Sequence, residues 1–310
     1  MNTSLMTTKS SSEQAKQIAR LLEDASSKAK IENILETAGA LFEKVQSRLI
    51  ETGKFDEKIA EIIRQLLATN PYASEKVESS FTYPLEYKPK SIREQVETLL
   101  NIKPFANLNA TWALTQAQKW YESLVGLPDW IESPLVYIKW KSFDSYHALL
   151  SEVFTQIKLA DPNFVNNCEG QLSKKYIRQS ARSIKAESLL DVHQPGDFFI
   201  VPSQAGLQHR GKSARCSRED FIEGEFGLGA VAEGCRKLTH PERYVRWEQL
   251  HTDSAGDEYS PGGDGRFVGA PCFDFNDGKA KFNTDGVEDA NDHYGSSSGV
   301  LPQSILNIEN

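Results

Sequence analysis

Apolar positions in the first 70 residues recur at intervals of three and four: Ile18, Leu21, Leu22, Ala25 and Ala29, then Ile31, Ile34, Leu35, Ala38, Leu41, Phe42, Val45 and Leu49. That interval gives a helix one apolar face. Ser11 followed by Gln14 has the spacing of a capping box, and Thr52-Gly53 supplies a stop. Phe55 and Asp56 can act as staple and cap for a further helix through Ile59, Ile62, Ile63, Leu66 and Leu67. It ends at Asn70-Pro71, because the residue before a proline avoids helical backbone. Residues 1–70 therefore read as a helical hairpin packed on its neighbour. Read instead as a stalk, the same helices would support an oligomer.

Pro71, Pro84 and Pro89 mark residues 72–90 as an extended connector. Three helical stretches follow. One starts at Ser91, with Glu94 three residues on, and carries Val96, Leu99 and Leu100. One covers 115–124 with Trp120 and Tyr121, and one covers 144–157 with Tyr146, Leu149, Leu150, Val153 and Phe154. Trp112, Trp120, Trp130 and Trp140 are scattered through this half as core-filling side chains would be. Residues 71–190 form a helical or mixed connecting domain on this reading.

Beyond about residue 180 the pattern changes. Residues 197–202 (DFFIVP) read as a short buried strand, and a helix is expected near 219–238. Nine of the 20 glycines then fall between Gly256 and Gly299, where helical periodicity is lost. From Phe273 to Phe282 apolar and polar residues alternate around Asp277-Gly278, the strongest hairpin signal in the chain. A compact α+β domain over 191–303 and a tail over 304–310 complete the expected organisation.

Composition adds little to the 310-residue picture except through charge. With 39% apolar and 25% charged residues the chain can build a globular core. Its net charge is −8, and the segment from Asp253 to Tyr294, with ten acidic and three basic residues, carries −7 of it. That balance argues against nucleic acid as a partner, since such affinity rests on Lys and Arg. Nothing at the N-terminus joins basic residues to an apolar run, and no apolar run nears the roughly 20 residues that span a bilayer. The expectation is no membrane insertion and a cytoplasmic or virion-associated protein, unless it is exported by another route.

The motifs that carry chemistry mostly fail. A calcium loop begun at Asp274 puts Gly278 at position 5 and Lys279 at position 6, and one begun at Asn276 puts Gly278 at position 3. Neither register matches an EF-hand. A different calcium set, Asp253, Asp257, Glu258 and Asp264, stands against the reading of a solvated acidic loop. Cys168, Cys216, Cys235 and Cys272 form no C-x-x-C pair and read as small buried thiols, with Cys216, Cys235 and His240 the weaker metal alternative. There is no G-x-S-x-G. Gly227-x-Gly229 lacks a third glycine in place, and His240-Pro-Glu242 is followed by no P-C-x-x-C. His209, His251 and His293 are scattered. No catalytic residue, metal set or cofactor is assigned, and the chain is not read as an enzyme.

The last third of the chain resembles the variable proteins of diversity-generating retroelements. The residues that carry this are Trp247-Glu248-Gln249-Leu250, Ala255-Gly256-Asp257-Glu258-Tyr259 and the closing run from Tyr294-Gly295 to Gly299, within a stretch of about 197–303. The resemblance implies a C-type-lectin-like domain behind a helical N-terminal part, α+β in class. It also implies a ligand-binding function, with an unknown protein or glycan on a cell surface as the partner. In that family an error-prone copy randomises adenines, so AAY codons encode a restricted residue set on a fixed scaffold. The positions this implies as variable are Val268, Gly269, Cys272, Asp274, Asn276, Asn283, Asp285, Gly286, Asp289, Asn291, His293 and Tyr294, all within the permitted set. Lys279, Lys281 and Glu288 fall outside it and are expected as scaffold, while Phe267, Phe273, Phe275 and Phe282 anchor the hairpin. A fixed-specificity lectin or adhesion module is the first alternative. An enzyme on a formylglycine-generating-like version of the fold is the second, and it would want a cysteine pair or metal that the spacing does not supply.

Overall fold

The computed structural model describes residues 70–306. The chain divides into two compact units, Met1–Ser74 and Glu75–Asn310. The expected hairpin over residues 1–70 lies outside the described residues, save Asn70 itself. All that follows concerns the second unit.

Its helices are α1 (Ile92–Leu100), α2 (Thr111–Thr115), α3 (Ala117–Glu122), α4 (Tyr146–Ala160), α5 (Ala181–His193), α6 (Ala214–Asp220), α7 (Ala230–Thr239) and α8 (Gln303–Leu306). Its strands are β1 (Ser133–Ile138), β2 (Val165–Asn166), β3 (Ile177–Gln179), β4 (Phe198–Gln204), β5 (Glu225–Gly227), β6 (His251–Asp253), β7 (Asp257–Tyr259), β8 (Gly269–Asn276), β9 (Lys279–Gly286), β10 (Tyr294–Ser296) and β11 (Ser298–Val300). Helix and sheet are mixed along the unit.

Local chemistry accounts for several of these elements. The Ser91 hydroxyl accepts from the Glu94 amide at 3.2 Å, and the Glu94 carboxylate accepts from the Ser91 amide at 2.8 Å, so α1 opens on a complete capping box. Ile92, Val96 and Leu99 then face the core. Ser145 caps α4 two residues later than the periodicity suggests, and Leu149, Leu150, Val153, Phe154 and Ile157 are buried along it. The helix expected over 115–124 is instead two short helices broken at Gln116. The helix expected over 219–238 is also divided: α6 ends at Asp220, and Phe226 sits in the buried strand β5 before α7 begins. Its apolar residues serve two different elements, which a single periodic reading merges. The tail is helical through Leu306, with Ile305 buried.

Two sheets organise the unit. One runs β1–β4–β11–β5, antiparallel throughout. The other runs β10–β6–β8–β9–β2, with β7 and β3 joined at the start of β8. At Ser297 the chain passes from β10 in the second sheet to β11 in the first. Strand β1 pairs with β4 from Ser133↔Ser203 to Ile138↔Phe198, and α5 runs across residue 190. Residues on both sides of the expected boundary at 190 thus share one sheet and one core. Helix α7 packs between β1 and α4, and it comes close to α4 at Gly234, where an added Cβ would lie 2.5 Å from Val153.

The β8–β9 hairpin forms as its alternation predicts. Asn276 pairs with Lys279 around Asp277 (φ 53°) and Gly278 (φ 72°), the positive-φ pair of a type I′ turn. Phe273 and Phe282 oppose one another and pack on Phe154, with ring centroids 5.8 and 4.4 Å from it. Phe275 is half-buried against the same core. Phe267 does not join it: it lies under the Arg178 guanidinium, 3.8 Å from ring centroid to charge.

Candidate functional site

Side chains alternate across a strand, so the register that sends Phe273 and Phe282 inward sends their neighbours to the opposite face. Strand pairing lines those neighbours up. Ser296 on β10 is opposite Asp253 on β6, Asp253 is opposite Cys272 on β8, and Cys272 is opposite Asn283 on β9. A second row on the same face contains Tyr294 opposite His251 and Asp274 opposite Lys281. Asp285 pairs with Ala270, one step diagonally from Cys272. Four strands therefore present one polar face, with no intervening apolar side chain except Ala270.

A cavity of about 290 Å³ opens onto this face. Asp253, Asp285 and Tyr294 line it from the sheet, Ala214 from α6, and Asp289 and Asn291 from the loop after β9. The Asp289 carboxylate accepts from the Gly286 amide at 3.0 Å and fixes the start of that loop. The Asn291 side chain accepts from the His293 amide at 2.9 Å and fixes its end.

Burial and mutual repulsion push the acidic groups here toward their protonated forms. Asp253 is pushed up to about 8 by burial and then by the Asp285 charge, partly offset by Arg218. Asp274 rises to about 6 by burial, held back by bonds from Asn283 and Tyr294 and by Lys281. Asp285 is raised by burial and by Asp289, against a bond from Cys272. The Cys272 thiol is pushed well above its ordinary value by burial and by three carboxylates, with Asp285 the largest. The Arg218 guanidinium is committed to the Ala255 and Asp257 carbonyls, at 2.9 and 2.7 Å, and does not contact the row.

Beside the acidic row stands an aromatic and imidazole cluster. Trp247, 43% exposed, lies 4.5 Å from His293 and 5.3 Å from His251 between ring centroids. His293 also packs against Phe81, with ring centroids 3.7 Å apart and the planes tilted by 31°. His251 is lowered to about 3, by burial first and then by Arg243 and His293. The site thus joins an acidic pocket to an exposed indole, with a neutral imidazole between them.

No family model, curated protein or solved structure matches the chain. The candidate site is defined by its geometry alone. It gathers most of the twelve expected positions: Asp285, Gly286, Asp289, Asn291 and Tyr294 line the cavity, His293 joins the aromatic cluster, and Asn283 and Asn276 lie on the same face. Val268 is 52% exposed just before β8. Gly269, Cys272 and Asp274 are buried, so their side-chain positions are closed to a large ligand. Of the expected scaffold positions, Lys279 and Glu288 are exposed, and Lys281 bonds to Asp277 at 2.8 Å.

The alternative calcium set does not converge. Asp257 accepts from Tyr146 and the Ala230 amide, Glu258 pairs with Arg178, and Asp264 pairs with Arg266. Cys216, Cys235 and His240 do not meet either; among the described residues the group with metal-ligand proximity is Asp253, Cys272 and Asp285. Sequence reasoning missed Asp253 as a partner of Cys272, and missed Trp247 and His251 as site residues. A three-residue strand such as β6 has too short an alternation to detect, and its parallel pairing with β10 is a long-range event.

Proposed function

We propose that the polar face of β6, β8, β9 and β10, with its cavity, is the ligand-binding surface of a diversified variable protein on a C-type-lectin-like scaffold. The protein acts as a binder and not as an enzyme. The observation that carries this reading is the division of labour within one hairpin: Phe273 and Phe282 are sealed in the core while Asn276, Asn283 and Asp285 point to the cavity side. Side chains on that side can change while the core stays as it is, which is what a variable surface on a fixed scaffold requires. The acidic lining suits a ligand that brings hydrogen-bond donors or positive charge, and Trp247 offers it a flat apolar contact. A protein or glycan on a cell surface meets those demands. No described helix is long and apolar enough to cross a membrane.

A fixed-specificity binding module is the second reading. The burial of Gly269, Cys272 and Asp274 favours it, because changes there would disturb the sheet. The gene distinguishes the two. A near-copy of the codons for residues 265–303, differing at adenines and lying beside a reverse transcriptase, is the expected finding. Genomic sequence without such a copy overturns diversification and leaves the fixed binder.

A further inference from the structure

We propose that Asp253, Cys272 and Asp285 bind one divalent cation of the zinc class, with a coordination position open to the cavity. One ligand atom from each residue lies within 4.8 Å of the others. The Cys272 sulfur and an Asp285 oxygen are 3.5 Å apart. Around a tetrahedral zinc ion, bonds of about 2.3 Å to sulfur and about 2.0 Å to oxygen set that edge at about 3.5 Å. The three residues stand on adjacent strands of one sheet, so the spacing is held by backbone pairing and not by loop conformation.

Independent observations point to a ligand at this place. The Asp253 side chain, 6% exposed, faces the cavity. Ser296, opposite Asp253 on the same face, is fully buried and its hydroxyl has no partner. Asp274, two residues from Cys272 on the same face, is buried with one carboxylate oxygen unpaired. Buried polar atoms are ordinarily satisfied, so the two orphans flanking Asp253 and Cys272 on one face need a common explanation. Among the described residues no lysine or arginine side chain pairs with the three carboxylates and thiol of this row; the Arg218 and Lys281 charges act on Asp253 and Asp274 from a distance.

The chemistry of the donor set selects the ion. Calcium wants six to eight oxygen ligands, and magnesium an octahedron of oxygens. A thiolate beside two carboxylates suits zinc, or cobalt as its spectroscopic substitute. On binding, the thiol proton leaves to solvent as the sulfur–metal bond forms. Three protein ligands leave a fourth position, and the cavity supplies room for it. The ion takes Cys272 and Asp285 out of the variable set and leaves the cavity-lining loop positions Asp289 and Asn291 free to change.

The test is cobalt titration of the full-length, metal-stripped chain, followed by displacement with zinc. One equivalent of cobalt is expected per chain, with thiolate-to-cobalt charge-transfer absorption that zinc abolishes and calcium leaves unchanged. C272S should lose that absorption. D285N, at a half-buried site, should keep the fold and bind cobalt at least ten-fold more weakly, which serves where C272S fails to fold. Failure to take up stoichiometric cobalt, persistence of the absorption in C272S, or parental affinity in D285N each overturns the site. None of these readouts involves a receptor ligand, so the result is separate from that of the binding proposal.

Discussion

Phe273 and Phe282 face each other across the β8–β9 hairpin with ring centroids 5.1 Å apart, and both are essentially sealed from solvent. Each is flanked in sequence by residues of the polar face. Phe282→Ala should therefore cost about 3–5 kcal/mol, the usual price of emptying a buried aromatic site. Joint replacement of Asp285, Asp289, Asn291 and His293 by serine should shift stability far less while abolishing or redirecting binding. Chemical denaturation and a binding screen on the same two variants check this. A four-residue variant that unfolds, or that binds as the parent does, would remove these positions from the binding surface.

A buried ion pair in α7 predicts a stability loss remote from the cavity. Glu233 accepts from Arg236 at 3.0 Å and from the Tyr244 hydroxyl at 3.1 Å, and all three side chains are buried. Glu233→Ala strands the Arg236 charge and should cost about 3–5 kcal/mol. Replacing both partners by apolar residues of similar volume should recover much of that loss. Urea midpoints of the single and double variants measure the difference.

Asp257 makes the fold pH-sensitive. It is fully buried and raised to about 6 by desolvation, against bonds from Tyr146 and the Ala230 amide. Between its ordinary value of about 3.9 and 6, the folded state keeps a proton that the unfolded state has lost. Its contribution is therefore fully present below pH 4 and is lost as pH rises through 6. Asp257→Asn keeps a carbonyl for both donors and cannot ionise. Its stability relative to the parent should improve between pH 4 and pH 7 by up to about 3 kcal/mol. A difference that stays flat across that range would contradict the assignment.

Gly278 holds φ at 72° with nothing within 4 Å of an added Cβ. Gly278→Ala thus isolates backbone strain from packing and should cost about 1–2 kcal/mol. Gly234→Ala meets Val153 at 2.5 Å and should cost about 1–3 kcal/mol through overpacking. Thermal unfolding distinguishes them further: replacing Val153 by alanine should relieve the second and leave the first unchanged.

What could be read from the sequence alone was local. Ser91 and Glu94 announce the start of α1 because a capping box closes within four residues. Asp277-Gly278 between alternating residues announces the hairpin, since turn chemistry and side-chain period both act over a few residues. The same alternation separates Phe273 and Phe282 from Cys272 and Asn283, so half of the polar face was already legible. The tertiary structure alone decided what stands beside that half. Parallel pairing of β10 with β6, and antiparallel pairing of β6 with β8, sets Ser296, Asp253 and Cys272 in one row from three distant segments. Strands of three residues carry too little pattern to declare their partners, and hydrogen bonding between them depends on the packing of the whole unit. The split of residues 219–238 into α6, β5 and α7 has the same cause: Phe226 is apolar in any reading, but only its place beside β11 makes it a strand residue.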